Sequence, residues 1–159
     1  MAERRYRVAQ WATGDSGMQC LRAIIAHPWL DLVALRVYSD AKTGRDAGDL
    51  CGLPPTGVIA TQDVEEIVAA RPDCVSYMPG YSEIDVLCRL LESGCNVVTA
   101  RTEFNCRASI EPETRRLLEA ACERGQASLY CTGSTPGWFT EQAPISSNSP
   151  NGRRQSPDS

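Results

Sequence analysis

Histidine occurs once in this 159-residue chain, at His27, and no Ser–His–Asp set is expected around it. His27 stands directly before Pro28, where a helical pattern stops, and a positive side chain at that end suits the helix dipole. There is no C-x-x-C pair either. The eight cysteines are spaced 31, 23, 14, 7, 11, 16 and 9 positions apart, which gives zinc ligation little support. Most of them lie inside apolar patterns, where cysteine packs as a small hydrophobe. No apolar run approaches the ~20 residues required to span a bilayer, and the opening MAERRYRVAQWATG is too charged for a secretory signal. Cationic excess is lacking as well: Lys+Arg number 16 against 20 Asp+Glu, a formal charge of −4 and the wrong sign for a nucleic-acid face. The expectation is a cytoplasmic protein with no nucleic-acid partner and no membrane association. Its hydrophobic fraction of 42% suits one ordinary globular core.

What the chain does contain is a regular alternation. Tyr6–Trp11 is a short β-prone run; Met18, Leu21, Ile24 and Ile25 then recur at helical spacing, and Leu32–Tyr38 is apolar enough for a strand buried on both faces. Ser39–Thr56 is rich in glycine, proline and charge, hence a loop, with one helical turn about Asp46–Leu50. Further strands are expected at Val58–Thr61, Cys74–Met78, Asn96–Thr99 and Ser128–Cys131. Between them, Asp63-x-x-Glu66 reads as a capping box, and its helix ends before Arg71-Pro72. Ser82-x-x-Asp85 opens a helix with Ile84, Leu87, Leu90 and Leu91 on one face and Gly94 as its left-handed cap. Pro112 and Gly125 bracket another. Strand and helix in strict alternation define the α/β class, a doubly wound parallel sheet with helices on both faces. From Glu141 onward, three prolines, five serines and no apolar periodicity take over. Such a segment cannot bury enough surface to offset its ordering entropy. Residues 1–140 are therefore read as one domain and 141–159 as a disordered tail, non-native or truncated.

The chemistry is placed first at Ala12-Thr13-Gly14-Asp15-Ser16-Gly17, between a strand and a helix. The first N–H groups of a helix are unpaired and its dipole is positive there, so this end attracts a phosphate. Gly14 lets the backbone approach a pyrophosphate and Gly17 lets the helix pack close to the strand, while Ala12 replaces the usual first glycine. A G-x-x-G alone is weak; between two buried strands and before an amphipathic helix it points to a dinucleotide. The second strand should end at the adenine ribose, and here it runs into Tyr38-Ser39-Asp40, with Lys42 and Arg45 following. Ser39 with Lys42 suits the 2′-phosphate of NADP, whereas Asp40 would accept from the 2′-hydroxyl of NAD. NADP is favoured, with NAD left open.

RVAQWATGDSG, LRAIIAHPWLDLVALRVYS, KTGRDAGDLCGLPPTGV, CRLLESGCNVVTA and LEAACERGQASLYCTGSTPGW together resemble one group of enzymes. These are the dihydrodipicolinate-reductase-like and 2,4-diaminopentanoate-dehydrogenase-like oxidoreductases. The resemblance runs from about Arg7 to about Gln142, and GRDAGDLCGLPPTGV is its most specific part. It implies NAD(P) bound in an N-terminal Rossmann domain, and a C-terminal α+β domain that carries most substrate contacts and much of an oligomer interface. That second domain is expected to be missing here. By position, Gly14, Asp15, Ser16 and Gly17 match the pyrophosphate turn, and Met78-Pro79-Gly80 the loop near the nicotinamide ribose. Thr99–Thr102 lies beside the nicotinamide, and Gly133-Ser134-Thr135-Pro136-Gly137 matches the crossing into the second domain. Tyr77 and Tyr81 flank the nicotinamide loop, Tyr77 reading as strand packing.

The expected site is thus Thr13, Gly14, Asp15, Ser16, Gly17, Ser39, Lys42, Met78, Pro79 and Gly80, with no catalytic residue and no metal ligand. The function implied is hydride transfer to or from a small amino- or imino-acid-like substrate in full-length relatives, with this chain inactive alone and a homo-oligomer possible. The alternative is a non-catalytic dinucleotide-binding sensor module. Because periodicity and capping signals cease at Trp138–Gln142, limited proteolysis is expected to leave a stable core ending there; a protected fragment reaching Ser159 would contradict this boundary.

Overall fold

The computed structural model describes residues 4–133. The expected domain boundary at 138–142, the crossing motif beyond Gly133 and the 141–159 tail lie outside the described residues. Six strands are present: β1 (Tyr6–Trp11), β2 (Leu30–Arg36), β3 (Ala60–Thr61), β4 (Cys74–Tyr77), β5 (Asn96–Thr99) and β6 (Leu129–Cys131). The helices are α1 (Asp15–Ala26), α2 (Ala47–Cys51), α3 (Val64–Ala69), α4 (Ile84–Glu92) and α5 (Pro112–Gly125), with two 3-10 turns at Thr102–Phe104 and Arg107–Ser109. All neighbouring strands pair in parallel, in the order β3-β2-β1-β4-β5-β6. The chain winds outward from β1 to β3, crosses back, and winds the other way from β4. The C-terminal ends of β1 and β4 therefore form the switch point where loops diverge and leave a crevice.

Two apolar clusters hold helices against the two faces. On one face Ala9, Trp11, Val75, Tyr77 and Val97 pack with Ile67 of α3, Leu87, Leu90 and Leu91 of α4, and Leu118 and Ala121 of α5. On the other, Leu35, Val37 and Ala60 pack with Leu21 of α1 and Ala47 and Cys51 of α2. Each fully buried leucine contributes on the order of 1.5–3 kcal/mol, so the helical stripe of α4 read from the sequence is a main attachment of that layer. No helix among the described residues is long and apolar enough to cross a membrane.

Local details depart from the sequence reading where tertiary partners compete. β2 begins two residues earlier than expected and ends at Arg36, because the ladder to β1 starts at Tyr6↔Leu30 and shifts register between Val8 and Ala9. Asp63 caps α3 by accepting from Glu65 N at 2.9 Å, but the Asp63 N–H is taken by Thr61 Oγ1 at 3.0 Å, the place the capping box gives to Glu66. Ser82 does not cap α4; its hydroxyl donates to Glu103.

The GRDAGDLCGLPPTGV stretch is a knot tied by one carboxylate. Asp46 Oδ1 accepts from Gly48 N at 2.7 Å, Thr56 N at 2.9 Å and Thr56 Oγ1, and Oδ2 accepts from Gly57 N at 2.7 Å. These donors, Thr56 foremost, hold the carboxyl below its ordinary range. A side chain at Gly48 would lie 2.1 Å from the Pro54 carbonyl oxygen, so the loop closes only over glycine.

Gly125 also has a role other than the one its position suggested. It is the last residue of α5, and the left-handed cap is Gln126, at φ 52°. A Cβ on Gly125 would stand 1.8 Å from the Leu91 carbonyl oxygen, so its bareness lets α5 lie on α4. Gly125→Ala is expected to cost about 1–3 kcal/mol by forcing the helices apart. Gly80→Ala, where a Cβ meets nothing within 4 Å, should leave stability unchanged. Urea midpoints of the two variants check this, and equal midpoints would contradict it.

Candidate functional site

The turn after β1 is shaped from beneath. Ala12 sits at φ 71°, the left-handed conformation that the usual glycine adopts freely and that costs an alanine roughly 1–2 kcal/mol. It is held there because its N–H donates to Arg36 O at 2.9 Å and its carbonyl accepts from Gln10 Nε2 at 2.9 Å. Gln10 is fully buried and also donates to Trp11 O. Gly17 closes the arrangement: a Cβ there would be 2.3 Å from Ala12 O. α1 can therefore start directly over the strand end, as the sequence reading required.

Gly14 is the N-cap of α1, and no side chain caps this helix. By contrast Asp46, Asp63 and Glu111 cap α2, α3 and α5. A Cβ on Gly14 would meet nothing within 4 Å, so this glycine is not demanded by packing and leaves open space before the α1 amides. That is the local geometry of an anion site at a helix N-terminus.

Two adjoining recesses open there. One of about 370 Å³ is lined by Ala12, Thr13, Gly14, Ser39, Lys42, Met78 and Gly80, with Tyr38 and Tyr81 as aromatic walls. A smaller one of about 150 Å³ is bounded by Ser16, Met78, Pro79, Ala100 and Arg101. Of the residues expected from the sequence, eight line these recesses. Asp15 is exposed in the first turn and Gly17 is packed underneath. A larger hollow of about 550 Å³ lies at the other end of the strands, beside His27, Cys74 and Ser76. Its cation, Arg4, is already paired with Asp73, and no uncapped helix N-terminus opens into it, so we place the site at the switch point.

Lys42, the one lysine of the sequence, reaches across from the loop after β2 and donates to both Thr13 O and Thr13 Oγ1 at 3.0 Å. Asp40 does not line the recess; its Oδ1 accepts from Gln62 at 2.7 Å. The sequence reading missed the support behind the wall. Arg36 is buried, with its guanidinium 5.2 Å from the Trp11 ring centroid and 4.4 Å from that of Tyr38, and among the described residues no carboxylate pairs with it. An arginine inside the run LVALRVY was the available signal. Tyr38 accepts from Trp11 Nε1 at 3.0 Å and donates to Glu83 Oε1 at 2.5 Å. Burial first, then the Glu83 bond, raises its phenol well above the ordinary value. Tyr77 accepts from Glu83 N at 3.0 Å, and burial pushes it up to about 12. Glu83 thus fastens the end of β2 and the end of β4 to the start of α4.

The loop after β4 is clasped from β5. Arg101 donates from Nη1 to Gly80 O at 2.7 Å and from Nε to Glu103 Oε1 at 2.9 Å, and the same carboxylate oxygen accepts from Ser82 at 2.7 Å. Burial pushes the Glu103 carboxyl up, but its hydrogen bonds outweigh this and hold it below the ordinary range. Among the described residues no group of histidine, cysteine and acid side chains could hold a metal ion.

No protein-family model matches the chain. It is similar to an amine dehydrogenase from Streptomyces virginiae, 38% identical over 143 residues that cover 85% of this chain and 39% of the relative. An N-acetyl-gamma-glutamyl-phosphate reductase from Parasynechococcus marenigrum (strain WH8102) is 28% identical over 137 residues, 80% of this chain and 37% of that protein. The chain thus spans about two fifths of the length of the curated relatives it matches. Among solved structures, an amine dehydrogenase from Mycobacterium smegmatis superposes with a TM-score of 0.74 at 26% identity, over 80% of this chain and 39% of that one. GenD2 from gentamicin A biosynthesis, in complex with NAD, superposes at 0.59 and 20% identity, over 80% and 34%. The chain has the Rossmann-like α/β fold, and its similarity is to the nucleotide-binding part of dehydrogenases.

Because the fold keeps Tyr77 neutral, its contribution to stability is complete below pH 10 and is lost as pH climbs from 10 towards 12. Tyr77→Phe is expected to flatten the fall in urea midpoint over that interval; an unchanged slope would show that Tyr77 ionisation does not drive it.

Proposed function

We propose that the chain is the NAD(P)-binding domain of an oxidoreductase of the dihydrodipicolinate-reductase-like and diaminopentanoate-dehydrogenase-like kind. The observation that carries this reading is the uncapped start of α1, opening on a recess at the switch point where Gly14 leaves space no protein atom fills. The pyrophosphate lies against Thr13, Gly14, Asp15, Ser16 and Gly17, accepting from the first α1 amides. The adenine ribose sits towards Ser39 and Lys42, and the nicotinamide half towards Met78, Pro79 and Gly80. NADP is preferred over NAD: the serine and the lysine line the recess, and the competing Asp40 is held by Gln62.

The bound nicotinamide would supply the hydride chemistry; the protein binds and orients it. The amine dehydrogenase similarity supports a small amino- or imino-acid-like substrate. The domain in this reading is 1–140, of which residues 4–133 are described. A cytoplasmic setting belongs to the same reading. The resemblance implies a further domain in full-length relatives that supplies most substrate contacts and much of an oligomer interface. The recess is lined by this domain alone, and misplacing a substrate by ~1 Å can cost ~100-fold. The 159 residues therefore bind dinucleotide without turnover.

Calorimetry with NADPH and NADH tests the reading. Wild type is expected to bind, and Gly14→Val to keep its melting temperature but lose binding, since a branched side chain fills the pyrophosphate's approach. Unchanged affinity in Gly14→Val would remove the central claim. Steady-state assays over amino and cyclic imino acids should show no rate above buffer; a rate that disappears in Gly14→Val would show that this domain suffices.

A further inference from the structure

The smaller recess contains a cation with a specific geometric task. We propose that Arg101 is a positioning residue for the nicotinamide half of the bound dinucleotide, a role that rests on the dinucleotide reading of the cleft. A dinucleotide crossing the start of α1 runs from the β2 side, where Ser39 and Lys42 stand, to the β4–β5 side. The recess on that second side is bounded by Ser16, Met78, Pro79, Ala100 and Arg101.

Arg101 shapes it by holding the facing loop at Gly80 and, through Glu103, at Ser82. Nη1 donates to Gly80 O, while Nε donates to Glu103 Oε1, which in turn accepts from Ser82 Oγ. Its own backbone is pinned by the bond from Arg101 N to Thr99 Oγ1 at 3.2 Å. One planar guanidinium makes both bonds at fixed angles; an ammonium cannot reproduce that fork. The side chain is 31% exposed, so it also presents a face to the recess and its loss opens no hole in the core. Without it the Gly80 carbonyl loses its donor, and the loop from Met78 to Ser82 loses the link that sets its distance from Ser16.

The test compares whole and half ligands on the 159-residue chain. Wild type, Arg101→Met and Arg101→Lys are titrated with NADPH and NADH, and with adenosine 2′,5′-bisphosphate and AMP, which lack the nicotinamide half. Arg101→Met is expected to weaken whichever dinucleotide binds by about tenfold or more. It should leave the matching adenosine fragment within about twofold and the melting temperature near that of wild type, and Arg101→Lys should fall between. Equal weakening of dinucleotide and fragment, or weakening of neither, overturns the role. Wild type that binds none of the four ligands sinks the dinucleotide reading itself, and the role with it, so the two failures are distinguishable.

Discussion

A close approach between α1 and the end of β1 organises the molecule. The Gly17 Cα lies so near the Ala12 carbonyl that any side chain would collide with it. Gln10 bonds that same carbonyl from the core side, and Arg36 O receives the Ala12 N–H. Together these contacts hold Ala12 in a conformation alanine otherwise avoids and set the helix start directly over the strand end. Because β1 lies in the middle of the strand order, with β2 on one side and β4 on the other, this one contact also places the helix dipole at the switch point. A wider turn would set α1 back from the crevice and leave its amides facing solvent.

The walls on either side of that helix start are joined by polar side chains that do not themselves line the large recess. Glu83 receives the Tyr38 hydroxyl and donates its N–H to Tyr77, linking the ends of β2 and β4. Arg101 and Glu103 link the loop after β4 to the segment after β5. Arg36 is buried against Trp11 and Tyr38 without a carboxylate partner among the described residues, and it donates to Val37 O. The stretch that carries the sequence resemblance most specifically, around Asp46, takes no part in this. It is conformational, a loop folded round one carboxylate, and what it positions is α2 against α1.

The sequence by itself determined the class and named the residues of the candidate site. Apolar periodicity located each strand within about two residues, because burial on two faces imposes a pattern that local residues carry themselves. It also marked Thr13–Gly17, Ser39, Lys42 and Met78–Gly80, since a strand–turn–helix unit and the strand ends after it fall in a known order along the chain. Tertiary structure alone decided which partners those residues take. Asp40 and Ser39 are neighbours in sequence, yet only Ser39 faces the recess, because Gln62 from beyond β3 holds the aspartate away. Gly125 looked like a cap and proved to be a contact surface for Leu91, 34 positions earlier. The partners of Arg36, Glu83 and Arg101 were not legible for the same reason. Their roles arise from hydrogen bonds and ring contacts between segments far apart along the chain, and no periodicity in one segment records what another will bring beside it.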